Sequence, residues 1–160
     1  MDSRVQIQVA EFDVASTYQE VREESAGQAG AIVTFVGLVR DRNEIAGDGA
    51  AVDTLTLEHY PGMTERSIAV ILEQAQSRWP VPWIRVVHRV GELTPSEQIV
   101  LVMVGSAHRE AAFAAAEFIM DYLKTDAVLW KRERTGLGQT WLKSTAQDAV
   151  RAEKWRQPGS

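Results

Sequence analysis

The chain has 160 residues, 45% of them hydrophobic and 24% charged, with a net charge of −5 and no cysteine. That size suits one domain with a core of its own, while the missing cysteine excludes disulfides, thiolate metal sites, a cysteine nucleophile and sulfur held on this chain as a persulfide. The acidic balance offers no general attraction to nucleic acid or anionic lipid, and no apolar run nears the ~20 residues of a membrane span or forms a signal core, so a cytoplasmic protein is expected and any basic site must be local.

Val5, Ile7 and Val9 alternate with polar residues and predict a first strand. Asp13 is a helix cap for a segment running to Ser25, with Val14, Tyr18 and Val21 on one face. Ala31 to Arg40 is rich in β-branched and aromatic residues and predicts a buried strand, followed by a Gly-containing loop from Asp41 to Ala51. Val52 to Tyr60 alternates again, and Pro61-Gly62 ends it. Met63 to Trp79 carries a helical stripe of Ile68, Ile71, Leu72 and Ala75, stopped by Pro80 and Pro82.

Trp83–Val90 and Gln98–Gly105 predict two strands joined by a turn over Gly91 to Ser96. Ser106 is placed to cap a helix from Ala107 to Leu123 that is apolar nearly all round and therefore expected to be largely buried. Val128 to Arg134 predicts a strand, Gly136 to Gly138 a turn, and Trp141-Leu142 a further short pairing. Ala146 to Trp155 reads as a helical tail and residues 157–160 as loose. The order implies an α+β domain with helices on a mixed or antiparallel sheet, without a phosphate loop or dinucleotide fingerprint.

The chemistry-bearing residues fall at element ends. Lys124 closes the long predicted helix and Lys131 lies on the next strand, each beside apolar neighbours (Tyr122-Leu123 and Leu129-Trp130). A lysine at the rim of an apolar pocket loses basicity and becomes a base or nucleophile. Ser106 to Arg109, at a helix start, suits an anion, with Arg109 able to grip a phosphate at two points. Arg40 ends a strand.

Structural explanations compete: Lys124 meets the helix dipole, Lys131-Arg132-Glu133-Arg134 suits a solvated sheet edge, and the pair His88-Arg89 and His59 suit structural positions in strands. Three scattered histidines do not make a metal site. The predicted helix also separates His108 from Lys124 by about 24 Å, so the two ends meet only if the following strand folds back, the ligand is long, or two copies share a site.

Taken together and in order, several segments resemble the MoaE family, the large catalytic subunit of molybdopterin synthase. They are Phe35-Val-Gly-Leu-Val-Arg40 with Asn43, Leu57-Glu-His-Tyr60 with Met63, Glu73-Gln-Ala75 with Arg78-Trp79, His88-Arg-Val-Gly-Glu-Leu93, Ser106-Ala-His-Arg109 with Ala112-Phe113, and Asp121-Tyr-Leu-Lys124 leading to Leu129-Trp-Lys-Arg-Glu133. They cover residues 30–142.

The resemblance implies an α/β hammerhead-type fold with an additional antiparallel β subdomain, a single catalytic domain over residues 1–145 and a tail over 146–160. It implies a homodimer within a heterotetramer, with a small ubiquitin-like, MoaD-like sulfur carrier at each end whose C-terminal Gly-Gly thiocarboxylate enters this subunit. Two sulfur transfers would convert cyclic pyranopterin monophosphate (precursor Z) into the molybdopterin dithiolene, with no cofactor and no metal required at this step. Lys124 and Lys131 would be catalytic. Arg40, His108 and Arg109 would bind the substrate phosphate, with backbone at Leu38 and Val39, and Arg132 and Glu133 would complete the pocket.

This chain departs from the family pattern in having Ala127-Val128 where a proline usually precedes the apolar-Trp-Lys run, in a longer loop over Asp41 to Ala51, and in a weaker match after Trp141, where Lys143 is a candidate contribution from a second copy. Two rival functions stay open on the residues alone. One is a non-catalytic module that docks a ubiquitin-like tail; the other is a lysine Schiff-base enzyme acting on a phosphorylated carbonyl compound.

Overall fold

The run Ile99–Val104 is apolar at every position, the pattern of a strand covered on both faces, and it forms the centre of the structure. The computed structural model describes residues 2–41, 51–136, 138–142 and 146–156. The loop expected from Asp41 to Ala51, the candidate Lys143 and the tail beyond residue 156 lie wholly or mostly outside these.

The first sheet has four strands in the order β1 (Val5–Gln8), β4 (Trp83–Arg89), β6 (Gln98–Ser106), β2 (Ala31–Leu38). β1 runs parallel to β4, and the other pairings are antiparallel. Alternation along β6 divides the core. Val100, Val102 and Val104 face α2 (Met63–Arg78) and α3 (Arg109–Thr125), while Leu101 and Met103 face α1 (Val14–Ser25) with Phe12 and Val21.

The second sheet is antiparallel throughout, in the order β5 (Gly91–Leu93), β3 (Val52–His59), β7 (Leu129–Thr135), β8 (Gly138–Leu142). A third apolar cluster of Val39, Leu55, Leu57, Val90 and Leu93 joins the sheets, with Ile7 and Ile99 contributed by the first. The chain crosses from β4 to β5 at Gly91, whose φ of +93° is open to glycine at little cost. The α+β class and the additional antiparallel subdomain are therefore as the sequence implied.

Most elements lie where expected, and the differences have physical causes. Asp13 caps α1, its carboxylate accepting from the N–H of Ala15 at 2.9 Å. Ser106 does not cap α3: it is the last residue of β6, paired with Ala31, and its hydroxyl donates to the Pro80 carbonyl at 2.9 Å, so His108 takes the N-cap position. The close approach of Gly30 to this bend leaves no room for a side chain, since a Cβ there would lie 2.2 Å from the Ala107 carbonyl oxygen.

α3 is not buried all round, because it lies on the sheet with one side only: Phe113 is 61% exposed. The predicted turn over Gly91 to Ser96 contains the three-residue β5, which tertiary pairing of Leu93 with Leu55 creates.

The C-terminal segment is docked on α3. α4 (Ala146–Glu153) leads into a 3-10 turn (Lys154–Arg156) that places Trp155 edge-on to Trp79 and Phe118, with centroids 5.4 and 5.6 Å away. The Trp155 indole N–H donates to Asp121 Oδ2 at 2.8 Å, and Lys154 pairs with Glu117. No helix among the described residues is long and apolar enough to cross a membrane. Replacing Trp155 by Ala removes a buried aromatic and is expected to lower the unfolding free energy by about 3 kcal/mol in urea denaturation; a loss below about 1 kcal/mol would mean that the segment does not dock.

Candidate active site

Lys131 lies on β7 opposite Leu57 of β3. Paired residues of neighbouring strands share a face, so Lys131 emerges beside Leu57, which is fully buried in the cluster between the sheets. By the same alternation Leu129, Glu133 and His59 share that face. Lys124 comes to it from the last turn of α3.

Burial pushes the Lys131 ammonium down from the usual 10.5 to about 8, helped by the like charge of Lys124 and by a hydrogen bond from Lys124, and opposed by Asp148 and Glu133. Two ammonium groups offer each other only donors. Lys131 can therefore accept in that contact only in its free-amine form, which a value of about 8 makes available close to neutral pH.

Behind the pair lies His88, 5% exposed. It pairs with Val100 on one side and Ile7 on the other, on the sheet face that α3 covers. Its Nδ1 lies 2.8 Å from the Arg89 carbonyl oxygen. A carbonyl only accepts, so Nδ1 carries the proton and Nε2 does not. Burial first, and then the charges of Lys131, Lys124 and His59, hold His88 down at about 4, against the opposing Arg89 bond. A neutral imidazole thus backs the lysine pair. Arg89 turns to the other side of its strand, where its guanidinium donates twice to the Val9 carbonyl and once to that of Gln98.

The other expected residues divide into three groups. Glu133 joins the lysine face, and Asp148 reaches it from α4 with a side chain only 14% exposed. Arg40 follows β2 at the end where Leu38 pairs with Gln98, the same end to which α3 returns with Lys124. The backbone of Val39 is already engaged there, its N–H donating to Glu97 O and its carbonyl accepting from Ser96 N, while the Leu38 side chain is half exposed.

Arg132 lies on the opposite face of the sheet, 3.9 Å from Glu58 and over the Trp141 ring. His108 and Arg109, both exposed, stand at the far end of α3. At about 1.5 Å per residue the helix puts them up to about 24 Å from Lys124. One chain therefore assembles Lys124, Lys131 and Glu133, brings Arg40 to the same end, and leaves His108, Arg109 and Arg132 apart from them.

Sequence reasoning had set His88 and His59 aside as structural and did not single out Asp148. The signal for His88 was an ionisable ring on the otherwise apolar face that Ile84 and Val86 form on its strand. For Asp148 there was none, since only the docking of the tail brings it near.

The MoaE protein family pattern matches residues 7–126 of this chain. The chain is 53% identical over 155 residues to the molybdopterin synthase catalytic subunit of Vibrio cholerae, covering 97% of this chain and 99% of that one. It is 48% identical over 144 residues to the subunit of the same name from Escherichia coli K12, covering 90% and 92%. The solved structure of a molybdopterin biosynthesis MoaE protein from Burkholderia ambifaria superposes with a TM-score of 0.80 at 38% identity, covering 98% and 99% of the two chains.

Two measurements test the site's electrostatics. Lys124→Ala removes the like charge, so the Lys131 titration midpoint, followed by pH-resolved acylation and mass spectrometry, is expected to rise from about 8 while burial keeps it below an ordinary lysine; an unchanged midpoint would refute the contact. His88 is held below its unfolded value of 6.5, so the unfolded chain binds the extra proton and stability is lost as pH falls from 6.5 towards 4. His88→Gln is expected to shrink that loss by up to about 3 kcal/mol in denaturation series, and identical slopes would refute it.

Proposed function

The chain belongs to the MoaE family, and we propose that it is the catalytic subunit of a molybdopterin synthase, a sulfurtransferase that moves two sulfurs from a thiocarboxylated carrier onto cyclic pyranopterin monophosphate to form the molybdopterin dithiolene. The observation that carries this reading is the Lys124–Lys131 contact, with Lys131 held at about 8 in a chain without cysteine. With no thiol of its own, the chain needs its sulfur from another protein. What it supplies is a proton-transfer group poised near neutral pH and a neighbouring cation.

In this mechanism Lys124 faces the anionic thiocarboxylate and the substrate's developing negative charge. The thiocarboxylate sulfur bonds to a substrate carbon as a carbon–oxygen bond there breaks, the protonated form of Lys131 giving its proton to the departing oxygen. Lys131, now a free amine, takes a proton from the water that attacks the resulting thioester, whose bond to the carrier breaks to leave sulfur on the substrate and the carrier as a carboxylate. The second transfer repeats these steps with a fresh carrier. Glu133 and Asp148 keep Lys131 basic enough to hold a proton between steps. The name "catalytic subunit" borne by the relatives supports a separate small carrier subunit with a Gly-Gly tail, and a cytoplasmic place suits a biosynthetic enzyme of this kind.

The phosphate would be held by Arg40 of one copy and by His108 and Arg109 of a second, an arrangement supported by the roughly 24 Å between the ends of α3. A dimer is also supported by β2, an edge strand whose Phe35 and Leu38 are 40% and 52% exposed, and by exposed Phe113. With a carrier at each end this makes a heterotetramer. Arg132 would act indirectly, by fixing the sheet that carries Lys131.

Lys131→Ala is expected to lower product formation from carrier thiocarboxylate and precursor Z by roughly 10²- to 10⁴-fold with the dimer intact; unchanged turnover would remove Lys131 from the mechanism. Mixing Lys131→Ala with Arg109→Ala subunits is expected to restore about a quarter of wild-type turnover, because half of the dimers are then mixed and each has one native site. No restoration would mean that the site lies within one copy.

A further inference from the structure

The seven residues from Lys124 to Lys131 leave the helix, turn and enter the strand, and α2 holds this passage at one point. Thr64, fully buried in the first turn of α2, donates its hydroxyl to the Val128 carbonyl at 2.6 Å and accepts from the Tyr60 N–H at 2.9 Å. The β3–β7 ladder ends at the pair His59↔Leu129, and the next pair in that register is Tyr60 with Val128. The hydroxyl therefore stands between the two backbone groups that a further rung of the sheet would have joined. Three residues on, Ser67 accepts the Val128 N–H at 3.1 Å, and its own hydroxyl donates to the Thr64 carbonyl at 2.8 Å. Residues i and i+3 of a helix share a face, so both hydroxyls reach the same peptide unit and satisfy both of its polar groups.

We propose that Thr64 and Ser67 are positioning residues for the reacting lysines, a two-point clip on Val128 that fixes where β7 begins and so how far the Lys131 amine stands from that of Lys124. The proposal rests on the lysine pair being the reacting centre. Ala127-Val128 stands where the family resemblance predicts a proline. A proline at position 128 would carry no N–H and would restrain its own φ; valine does neither, and the Ser67 hydroxyl takes up the N–H that proline would lack. A slip of one residue at this point would turn Lys131 to the opposite face of the sheet. Displacements near 1 Å at a reacting centre cost on the order of 10²-fold in rate.

The test uses the full chain with its thiocarboxylated carrier and reads two quantities: turnover, and the titration midpoint of Lys131 by pH-resolved acylation and mass spectrometry. Thr64→Val keeps the shape and loses both bonds. It is expected to lower kcat roughly ten- to hundredfold at nearly unchanged KM, and to raise the Lys131 midpoint as the contact with Lys124 loosens. Thr64→Ser keeps the hydroxyl and is expected to restore both.

Ser67→Ala is expected to give a smaller loss in the native background and none in a Val128→Pro background, where no N–H remains to be caught. Wild-type turnover and midpoint in folded Thr64→Val, or an undiminished Ser67→Ala effect beside proline, would overturn the clip. Should Thr64→Val not fold, the Ser67 pair of variants decides. If the wild-type chain makes no product, the functional reading fails, and the midpoint alone still tells whether the clip positions Lys131.

Discussion

Two amines of the same formal charge touch at the end of α3, half out of water. Like charges this close repel in a partly buried place, so the pair gives up one proton more readily than two separate lysines would. The surroundings decide which one. Lys131 rises beside the buried Leu57 and in front of His88, whose proton sits on the nitrogen bonded to the Arg89 carbonyl. Lys124 stands exposed at a helix C-terminus, where the dipole favours a cation. The asymmetry of the pair is thus built from ordinary parts: a strand register, a helix end and a ring held neutral by burial.

That pair also gives meaning to the length of α3. Among the cationic side chains of the site, those near Lys124 suit proton transfer, whereas His108 and Arg109, at the opposite end, suit an anion. A 17-residue helix is a rigid spacer and cannot fold its ends together. In the proposed dimer two antiparallel copies would solve this by symmetry, because a two-fold axis near the middle of such a helix would set each end beside the opposite end of its mate. The long helix that separates the groups within a chain would then be the ruler that sets their distance between chains.

The sequence was informative wherever local chemistry decides structure. Asp13 as a cap, the strand over Gln98–Gly105 and the stripe of α2 were all readable from periodicity and capping. It failed where distant pairing decides. β5 exists because Leu93 meets Leu55, and Ser106 belongs to a strand because Ala31 pairs with it. Lys124 and Lys131 stood out by their apolar company and Glu133 by family resemblance, and the strand register and helix end bring the three to one face. Arg132 was placed in the pocket because it adjoins Lys131 in sequence, yet adjacent residues of a strand point to opposite faces. Thr64, Ser67 and Asp148 carried no local signal, since each acts on a segment more than 15 residues away.

The carboxylates complete the balance. Burial and Lys124 alone would drive Lys131 lower still, and an amine that is neutral throughout the physiological range could accept a proton only fleetingly. Glu133, two residues along the strand, and Asp148, delivered by the tail, oppose that drive and leave the group near 8, close enough to neutrality to work in both directions. Asp148 is there only because Trp155 packs against Trp79 and Phe118 and bonds Asp121, one helical turn before Lys124. The tail is therefore coupled to the site twice, by charge through Asp148 and by packing through the helix that carries Lys124. Loosening its anchor would take away the Asp148 charge that holds Lys131 up, without touching either lysine.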